Sequence, residues 1–401
     1  MSLNDTPSGE RIHIGFFGMR NAGKSSLVNA VTGQELSVVS DVEGTTTDPV
    51  RKAMELLPLG PVVVIDTPGL DDEGELGEKR VKKAREILAK TDLAVLVLDA
   101  TIGPRAEDRE LLALFGERKL PYVLAYNKTD LLPERPALQE NEIYVSAKTG
   151  ENVNQLKEQL GAFAKDLGNS HRLVSDLLSP GDAAVLVIPI DESAPKGRLI
   201  LPQQQVMRDI LDAHGTFLTC QPAELKQALA ALAKPPKLVI TDSQAFGKVA
   251  RDVPEEIWLT SFSILMARYK GTLTEQVKGA ARLSKLKDGD RVLISEGCTH
   301  HRQCNDIGTV KLPRWIGDFS GAKIAFSFTS GGDFPENLAA YSLVVHCGGC
   351  MLNEKEMQRR IAAAVGAGVP IVNYGVAIAR MHGILQRSLA PFPEVLRLLG
   401  E

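Results

Sequence analysis

The segment from residue 11 to residue 32 restricts the fold more than any other part of the chain. An apolar stretch ending at Phe17 is followed by Gly-Met-Arg-Asn-Ala-Gly-Lys-Ser at positions 18–25, and then by residues 26–32, which favour a helix. A glycine-rich loop between a strand and a helix can surround phosphate oxygens with backbone N–H groups, and the helix N-terminus adds a favourable dipole. In such a loop Lys24 would reach the β and γ oxygens of a nucleotide, and Ser25 would supply a ligand for Mg²⁺. The pattern therefore predicts a phosphate-binding loop, or P-loop, in an α/β domain. The predicted contacts of this loop are Gly18, Asn21, Ala22, Gly23, Lys24, Ser25 and Ser26.

Two further strand ends predict contacts with Mg²⁺, with the γ-phosphate and with the base of the nucleotide. The apolar stretch 62–66 ends in Asp66, which is placed to hold Mg²⁺ through water, and Gly69 can offer its N–H to a γ-phosphate. The apolar stretch 122–126 precedes Asn-Lys-Thr-Asp, in which the Asp130 carboxylate can accept from the N1–H and the exocyclic amine of guanine. Adenine cannot satisfy that carboxylate in the same way, and a buried polar group left unpaired costs enough to reject it. The predicted base contacts are Asn127, Lys128 and Asp130, with Ser146, Ala147 and Lys148 following a strand at 142–145.

Length and composition limit the class of protein. A chain of 401 residues is expected to form two or three domains. Hydrophobic residues make up 44% of the chain and the formal charge is only -4. The composition therefore indicates neither a disordered chain nor an overall positive charge that would attract nucleic acid. No apolar stretch reaches the roughly 20 residues that span a bilayer, and the N-terminus lacks the apolar core of a signal peptide. We therefore expect a cytoplasmic protein, in which five cysteines point to metal or redox chemistry before disulfides.

The remaining chain alternates predicted strands and helices. Strands predicted at 184–189, 216–220, 237–242 and 257–264 are separated by helical stretches, which is typical of a small parallel α/β unit. That unit shows no nucleotide fingerprint and no metal-ligand spacing, so an interaction or dimerisation role remains by elimination, and Cys220 is interpreted as a core thiol. Further strands are predicted at 290–297, 323–328, 341–345 and 370–374, with a helix at 354–367. The predicted domains are 1–170, 171–266 and 267–401, all of the α/β class with parallel sheets.

A cysteine pattern stands out in the third predicted domain. Cys298-Thr-His300 and Cys347-Gly-Gly-Cys350 each follow a predicted strand, so both turns are expected at the same edge of a parallel sheet, where ligands of such sheets collect. The two glycines let the backbone approach a bulky group, and the following helix N-terminus is expected to favour thiolate over thiol. Three interpretations are open from the residues alone: a redox dithiol, a zinc site with three cysteines and one histidine, and an iron-sulfur cubane held by three cysteines. His301 and Cys304 complicate the ligand assignment.

The nucleotide motifs resemble those of translation-factor-related GTPases. Within that group, Asn21 and the sequence Gly-Thr-Thr-Thr-Asp at 44–48 are similar to the tRNA-modification and ribosome-assembly GTPases of the TrmE-Era-EngA type. This resemblance implies that Thr46 senses Mg²⁺ in switch I and that Asn21 is a ligand of an activating K⁺. Leu70 stands where Ras-like enzymes carry the glutamine that orients water, so slow intrinsic hydrolysis is expected. A polar loop with local capping bonds is the alternative interpretation for Asn21 and residues 45–47. The residues assigned to catalysis are Lys24, Thr46, Asp66 and Gly69.

The order of GTPase motifs, middle α/β unit and cysteine pattern resembles the HydF family of FeFe-hydrogenase maturation GTPases over essentially the whole chain. The resemblance implies a GTP-binding domain, a dimerisation domain and a domain that binds a four-iron four-sulfur (4Fe-4S) cluster. It assigns Cys298, Cys347 and Cys350 as cluster ligands and His300 as an exchangeable fourth ligand. It also implies a scaffold and carrier that delivers a di-iron precursor to apo-FeFe-hydrogenase, with radical-SAM maturases as partners and a homodimer or higher oligomer as the assembly. Nucleic acid and membrane are not expected partners.

A ribosome- or RNA-associated GTPase with a structural zinc site is the alternative function. RNA binding needs a basic face that carries aromatic side chains. Aromatic residues are only 5% of the chain, and residues 298–350 contain no dense run of lysine and arginine. Composition therefore favours the scaffold GTPase.

Overall fold

The computed structural model describes residues 11–33, 50–67, 87–163, 172–190, 199–297 and 306–399. The chain forms two compact units, which divide between residues 168 and 169. The following predicted features lie outside the described residues: Thr46 and the rest of 44–48, Gly69, Leu70, Cys298, His300, His301 and Cys304. None of the helices in the described ranges is long and apolar enough to cross a membrane.

The first unit is built on a six-stranded sheet. Its strands are β1 (Ile12–Phe17), β2 (Val50–Leu56), β3 (Gly60–Asp66), β4 (Leu93–Asp99), β5 (Tyr122–Asn127) and β6 (Glu142–Tyr144). The order is β2-β3-β1-β4-β5-β6, and neighbouring strands are parallel except that β2 is antiparallel to β3. The helices within its described ranges include α1 (Lys24–Thr32), α2 (Ala106–Glu117) and α3 (Val153–Ala162). The predicted P-loop α/β domain is confirmed.

The central strands of this sheet are buried on both faces, which explains their continuous apolar sequences. Phe16 packs into the core on one side of the sheet and Phe17 into the core on the other. Strand β2 was not predicted. Its alternation of exposed and buried residues, with Lys52 among the buried ones, gives no apolar run.

The second unit contains two four-stranded parallel sheets. The first consists of β7 (Ala183–Val187), β8 (Thr216–Cys220), β9 (Leu238–Thr241) and β10 (Trp258–Ser261), in the order β10-β9-β7-β8. The second consists of β11 (Arg291–Glu296), β12 (Ala325–Ser330), β13 (Leu343–His346) and β14 (Ile371–Asn373), in the order β12-β11-β13-β14. The longer helices are α4 (Leu201–Asp212), α5 (Leu225–Ala230), α6 (Phe246–Asp252), α7 (Phe262–Tyr269), α8 (Leu273–Ala280), α9 (Leu312–Ser320), α10 (Glu354–Gly366) and α11 (Tyr374–Met381); α12 (Leu385–Ser388) and α13 (Pro393–Leu396) are single turns.

Helix α7 connects the two sheets of the second unit. Its first residues were predicted to be part of a strand. The strand predicted at 257–264 ends at Ser261, whose side chain accepts a hydrogen bond from the N–H of Ile264 and caps α7. Most of α7 is buried, so its sequence is apolar without a helical period and resembles a strand. The predicted domain boundary at 266/267 falls inside this helix. Residues from both sheets share one hydrophobic core, including Val185, Ile240, Val292 and Val345.

Candidate nucleotide site and cysteine turn

Two glycines fix the shape of the phosphate loop. Gly18 has φ +137°, and a Cβ there would lie 2.2 Å from the carbonyl oxygen of Val97. Gly23 has φ +86°, and a Cβ there would lie 2.2 Å from Nδ2 of Asn127. Asn21 also has a positive φ, 61°, a conformation that asparagine tolerates better than most residues. The loop between β1 and α1 therefore excludes larger residues at both glycines.

Lys24 and Ser25 lie in the first turn of helix α1, which begins two residues before the helix predicted at 26–32. The Lys24 side chain is 7% exposed, and its Nζ donates to the carbonyl oxygen of Met19 at 2.6 Å, so the ammonium lies over the loop. Ser25 Oγ donates to Oδ2 of Asp66 at 2.6 Å, and Asp66 is fully buried at the end of β3. A hydroxyl and a carboxylate in direct contact are the hard oxygen donors that Mg²⁺ prefers, so these residues fit the ion.

Asn127 joins three loops of the nucleotide site. Its Nδ2 donates to the carbonyl oxygen of Ala22 at 2.9 Å, and its Oδ1 accepts from the N–H of Ala147 at 3.0 Å. Ser146 Oγ donates to Oδ1 of Asp130 at 2.7 Å, which orients the carboxylate proposed to accept from guanine. These bonds hold the P-loop, the Asn127–Asp130 segment and the Ser146–Lys148 segment in one arrangement.

The Lys128 side chain forms a salt bridge at the end of a neighbouring strand. Its Nζ lies 2.6 Å from Oδ2 of Asp99 at the end of β4. Burial alone would raise the pKa of Asp99, but hydrogen bonds from Lys128 and Thr101 outweigh it and lower that pKa. The stem of Lys128 is thereby fixed beside a cavity that it helps to line.

A cavity of about 410 Å³ lies beside the P-loop, the Asn127–Asp130 segment and the Ser146–Lys148 segment. Its lining residues are Gly23, Ser26, Asn127, Lys128, Asp130, Leu131, Ala147 and Lys148. All of them except Leu131 were predicted nucleotide contacts. Leu131 is 60% exposed, and its position directly after Asp130, a predicted base contact, was the signal that could have identified it.

The cysteine turn joins β13 to α10, as predicted. Asn353 caps α10, accepting at Oδ1 from the N–H of Glu356 at 3.0 Å. Cys347 Sγ accepts from the N–H groups of Gly297, at 3.0 Å, and Gly349, at 3.3 Å. Because β11 and β13 are parallel neighbours, with Ser295 opposite His346, residue 297 and the turn meet at the carboxyl edge of the sheet.

The turn needs its second glycine, and its thiols suit a soft metal. Gly349 has φ +62°, and a Cβ there would lie 2.5 Å from the sulfur of Met357. Cys347 and Cys350 are half-buried thiols. Two sulfurs in one turn, with backbone N–H groups directed at Cys347, match the donors of iron-sulfur sites. Within the described ranges no group of three metal-ligating side chains is found, and Cys298 and His300 lie outside those ranges.

The expectation of a thiolate at Cys347 is wrong for the metal-free chain. Burial raises the pKa of this thiol to about 11, although hydrogen bonds from the N–H groups of Gly297 and Gly349 act in the opposite direction. The cost of placing an anion in a desolvated turn is larger than the stabilisation by two N–H dipoles. A metal that binds Cys347 must therefore displace its proton.

A buried polar network lies behind the turn and was missed by the sequence analysis. Arg360 is fully buried; its Nε donates to Oε1 of Glu356 at 2.8 Å, its Nη1 to Nε2 of His346 at 3.1 Å, and its Nη2 to the carbonyl oxygen of Gly331 at 2.7 Å. His346 Nδ1 in turn donates to the carbonyl oxygen of Cys347 at 2.7 Å. Both ring nitrogens of His346 are thus engaged within the protein. Burial, and then the charge of Arg360, lower the pKa of His346 to about 3.

A second buried cation contacts the turn itself. Lys270 is 3% exposed, and its Nζ donates to the carbonyl oxygen of Gly349 and, at 2.7 Å, to that of Leu352. A histidine directly before the CxxC pattern was a signal for His346. No local signal marks Lys270, Glu356 or Arg360, because their partners are remote in sequence or lie within an ordinary helix.

Three family models match the chain. A model described as 50S ribosome-binding GTPase matches residues 13–128, the hydrogen maturase F dimerization domain matches residues 173–271, and the hydrogen maturase F tetramerization domain matches residues 274–391. Among curated proteins, the tRNA modification GTPase MnmE of Nitrosomonas europaea is 36% identical over 38% of this chain and 34% of its own length. MnmE of Legionella pneumophila strain Paris is 38% identical over 35% of this chain and 32% of its own length.

The curated relatives are thus matched over about a third of their length. A solved structure of Era from Aquifex aeolicus, bound to GDP and AlF4-, has 17% identity and a TM-score of 0.35 over 79% of this chain and 93% of that one. A likeness of that size carries no functional conclusion.

Proposed function

Because the chain belongs to the hydrogen maturase F family, we propose that it is a GTP-hydrolysing scaffold that binds a 4Fe-4S cluster and delivers the di-iron precursor to apo-FeFe-hydrogenase. The observation that carries this proposal is the presence in one chain of a guanine-type pocket and a CxxC turn at the carboxyl edge of a second parallel sheet. In this role the protein works in the cytoplasm, with radical-SAM maturases loading the cargo.

The proposed nucleotide chemistry uses the residues of the first unit. Lys24 neutralises the β and γ oxygens, while Ser25 and Asp66 hold Mg²⁺, Asp66 through water. Asp130, oriented by Ser146, accepts from guanine. Thr46 and Gly69 complete the γ-phosphate and Mg²⁺ contacts in this proposal, and Asn21 binds an activating K⁺.

The proposed cluster chemistry uses the second unit. Cys347, Cys350 and Cys298 provide three thiolates, which leaves one iron for an exchangeable ligand such as His300. His346 does not serve as that ligand in this proposal, because its ring nitrogens contact Cys347 and Arg360. A labile position suits a carrier, since a di-iron fragment can then bind and leave while the cubane stays intact.

The hydrogen maturase F matches support an oligomer, and strand β8 offers a place for it. This strand is at the edge of its sheet and borders a mainly apolar groove of about 600 Å³, which also includes Ile190, 60% exposed. Exposed edge strands pair readily with another chain. We expect Ile190→Asp to shift the protein towards smaller assemblies in analytical ultracentrifugation. Leu211→Asp, at a residue 56% exposed on α4 and outside the groove, is the control; equal behaviour of both variants would remove the groove from the interface.

Crossed variants test whether one chain carries both activities. Lys24→Ala should lose GTP turnover and keep its iron, because no cluster ligand belongs to the nucleotide motifs. Cys350→Ser should lose the cluster and keep GTP turnover. Loss of iron in a folded Lys24→Ala protein would contradict this separation.

The RNA-associated alternative is supported by the names of the curated relatives, which are tRNA modification GTPases. Their matched share of this chain, 35–38%, is too small to extend over the second unit. The cysteine turn distinguishes the candidates, because a structural zinc site would leave the purified protein colourless.

A further inference from the structure

Lys270 belongs to the end of α7, yet it contacts a segment that is remote in sequence. Lysines at helix C-termini commonly bond the last carbonyls of their own helix. Lys270 instead donates to carbonyls of the cysteine turn and its C-terminal flank, 79 residues away at Gly349 and 82 residues away at Leu352. A capping role therefore does not explain this side chain.

Both contacts of Lys270 lie in the segment that leads into α10. Gly349 lies between the two cysteines, and Leu352 directly precedes Asn353, the cap of α10. Near the other end of α7, the carbonyl oxygen of Ser263 accepts from Nδ2 of Asn373 at 2.9 Å, the residue that caps α11. Helix α7 is thus bonded to two of the strand-to-helix turns at the carboxyl edge of the second sheet.

The ammonium group also places a positive charge at the turn. Electrostatic interactions are stronger in a desolvated site than in water, so this charge acts on whatever group the cysteines hold. A cubane with three thiolates carries net negative charge, and reduction adds one more.

We propose that Lys270 is a positioning residue for the cluster: it fixes the cysteine turn through two carbonyl bonds and favours the reduced, more negative state of the bound group. This inference rests on the proposed function. Because α7 starts at β10, Lys270 also links the region matched by the dimerization-domain model to the turn matched by the tetramerization-domain model.

The effect of the Lys270 charge on the cluster is tested by redox titration of anaerobically reconstituted protein, with electron paramagnetic resonance as the readout. Lys270→Met should make reduction about tenfold less favourable, a shift of about 59 mV towards negative potential for one electron. It should also weaken cluster retention roughly 10–100-fold, as is typical when a group that supports metal ligands is lost. Lys270→Arg should restore the potential, because it keeps the charge and the donors. Lys278→Met, which removes an exposed lysine on the next helix, should match the unmodified protein.

The positioning role is tested in metal-free protein by hydrogen exchange of a peptide covering residues 347–353. Lys270→Met should speed exchange there about tenfold, and Lys278→Met should leave it unchanged. If the unmodified protein holds no iron-sulfur cluster, the proposed function fails while the exchange experiment still decides whether Lys270 fixes the turn. Unchanged exchange in Lys270→Met would overturn the positioning role, and an unchanged potential would overturn the role of the charge.

Discussion

Replacing Glu356 by glutamine should strongly destabilise the second unit. Glu356 is 2% exposed and accepts from Arg360, which is 0% exposed, and from Arg359, which is 37% exposed. The glutamine keeps the size of the side chain and removes its charge. Arg359 can turn to solvent, whereas Arg360 remains buried, and its described acceptors at His346, Gly331 and Ser295 are neutral.

The magnitude follows from the burial of that pair. Removing one partner of a buried ion pair leaves an uncompensated charge and costs about 3–5 kcal/mol. With an m-value of about 3 kcal/mol/M for a unit of this size, the urea midpoint should fall by about 1–1.7 M. The matched control is Glu275→Gln, which breaks the exposed pair with Lys278 and should cost less than about 1 kcal/mol.

Tryptophan fluorescence measures this unit alone. The chain has two tryptophans, and both Trp258 and Trp315 belong to the second unit. Equilibrium urea unfolding followed by this signal is therefore insensitive to the first unit. The double variant Glu356→Leu, Arg360→Met should recover part of the loss, because replacing both partners by apolar residues removes the unpaired charge. Equal midpoints for Glu356→Gln and Glu275→Gln would refute the buried-pair argument.

Three further outcomes are expected. Asp130→Asn should weaken binding of GTP relative to xanthine nucleotides in a competition assay, and equal binding of ATP and GTP by the unmodified protein would defeat the guanine assignment. If Asn21 holds K⁺, turnover in KCl should exceed turnover in NaCl at equal ionic strength, whereas identical rates would remove that role. The pKa of His346 is about 3 in the folded chain and 6.5 in the reference state, so the unfolded chain binds the extra proton. The metal-free second unit should accordingly lose stability as the pH falls from about 6.5 towards 3, by at most about 1.4 kcal/mol per pH unit, and His346→Gln should flatten that dependence in urea titrations.

The backbone geometry of the candidate nucleotide site was predictable because its determinants are local. Gly18 and Gly23 take backbone conformations and close contacts that only glycine tolerates, and the buried strands before them and before Asp66 are continuous apolar runs. Strand β2 was missed because its alternating polar residues lie at a sheet edge. The first turn of helix α7 was mistaken for the end of a strand because most of the helix is buried.

The surroundings of the cysteine turn were not predictable in the same way. The CxxC pattern and its strand-to-helix setting follow from neighbouring residues, so they were found. The positions of the two buried cations near the turn depend on packing between elements. Lys270 reaches the turn from another helix, and Arg360 reaches Gly331 and His346 from within α10. The burial that raises the pKa of Cys347 is likewise a tertiary property, and it outweighs the helix dipole on which the thiolate prediction rested.

The most direct test of the account is the metal content of protein purified without oxygen. We expect a brown protein with about four irons and four sulfides per chain, as a 4Fe-4S cluster requires. Its reduced state should give a paramagnetic resonance signal that changes when imidazole is added, because one iron has an exchangeable ligand. His300→Ala should keep most of the iron, whereas Cys347→Ser should lose it. A colourless protein that contains one zinc and no sulfide would contradict the scaffold account and support the alternative with a structural metal.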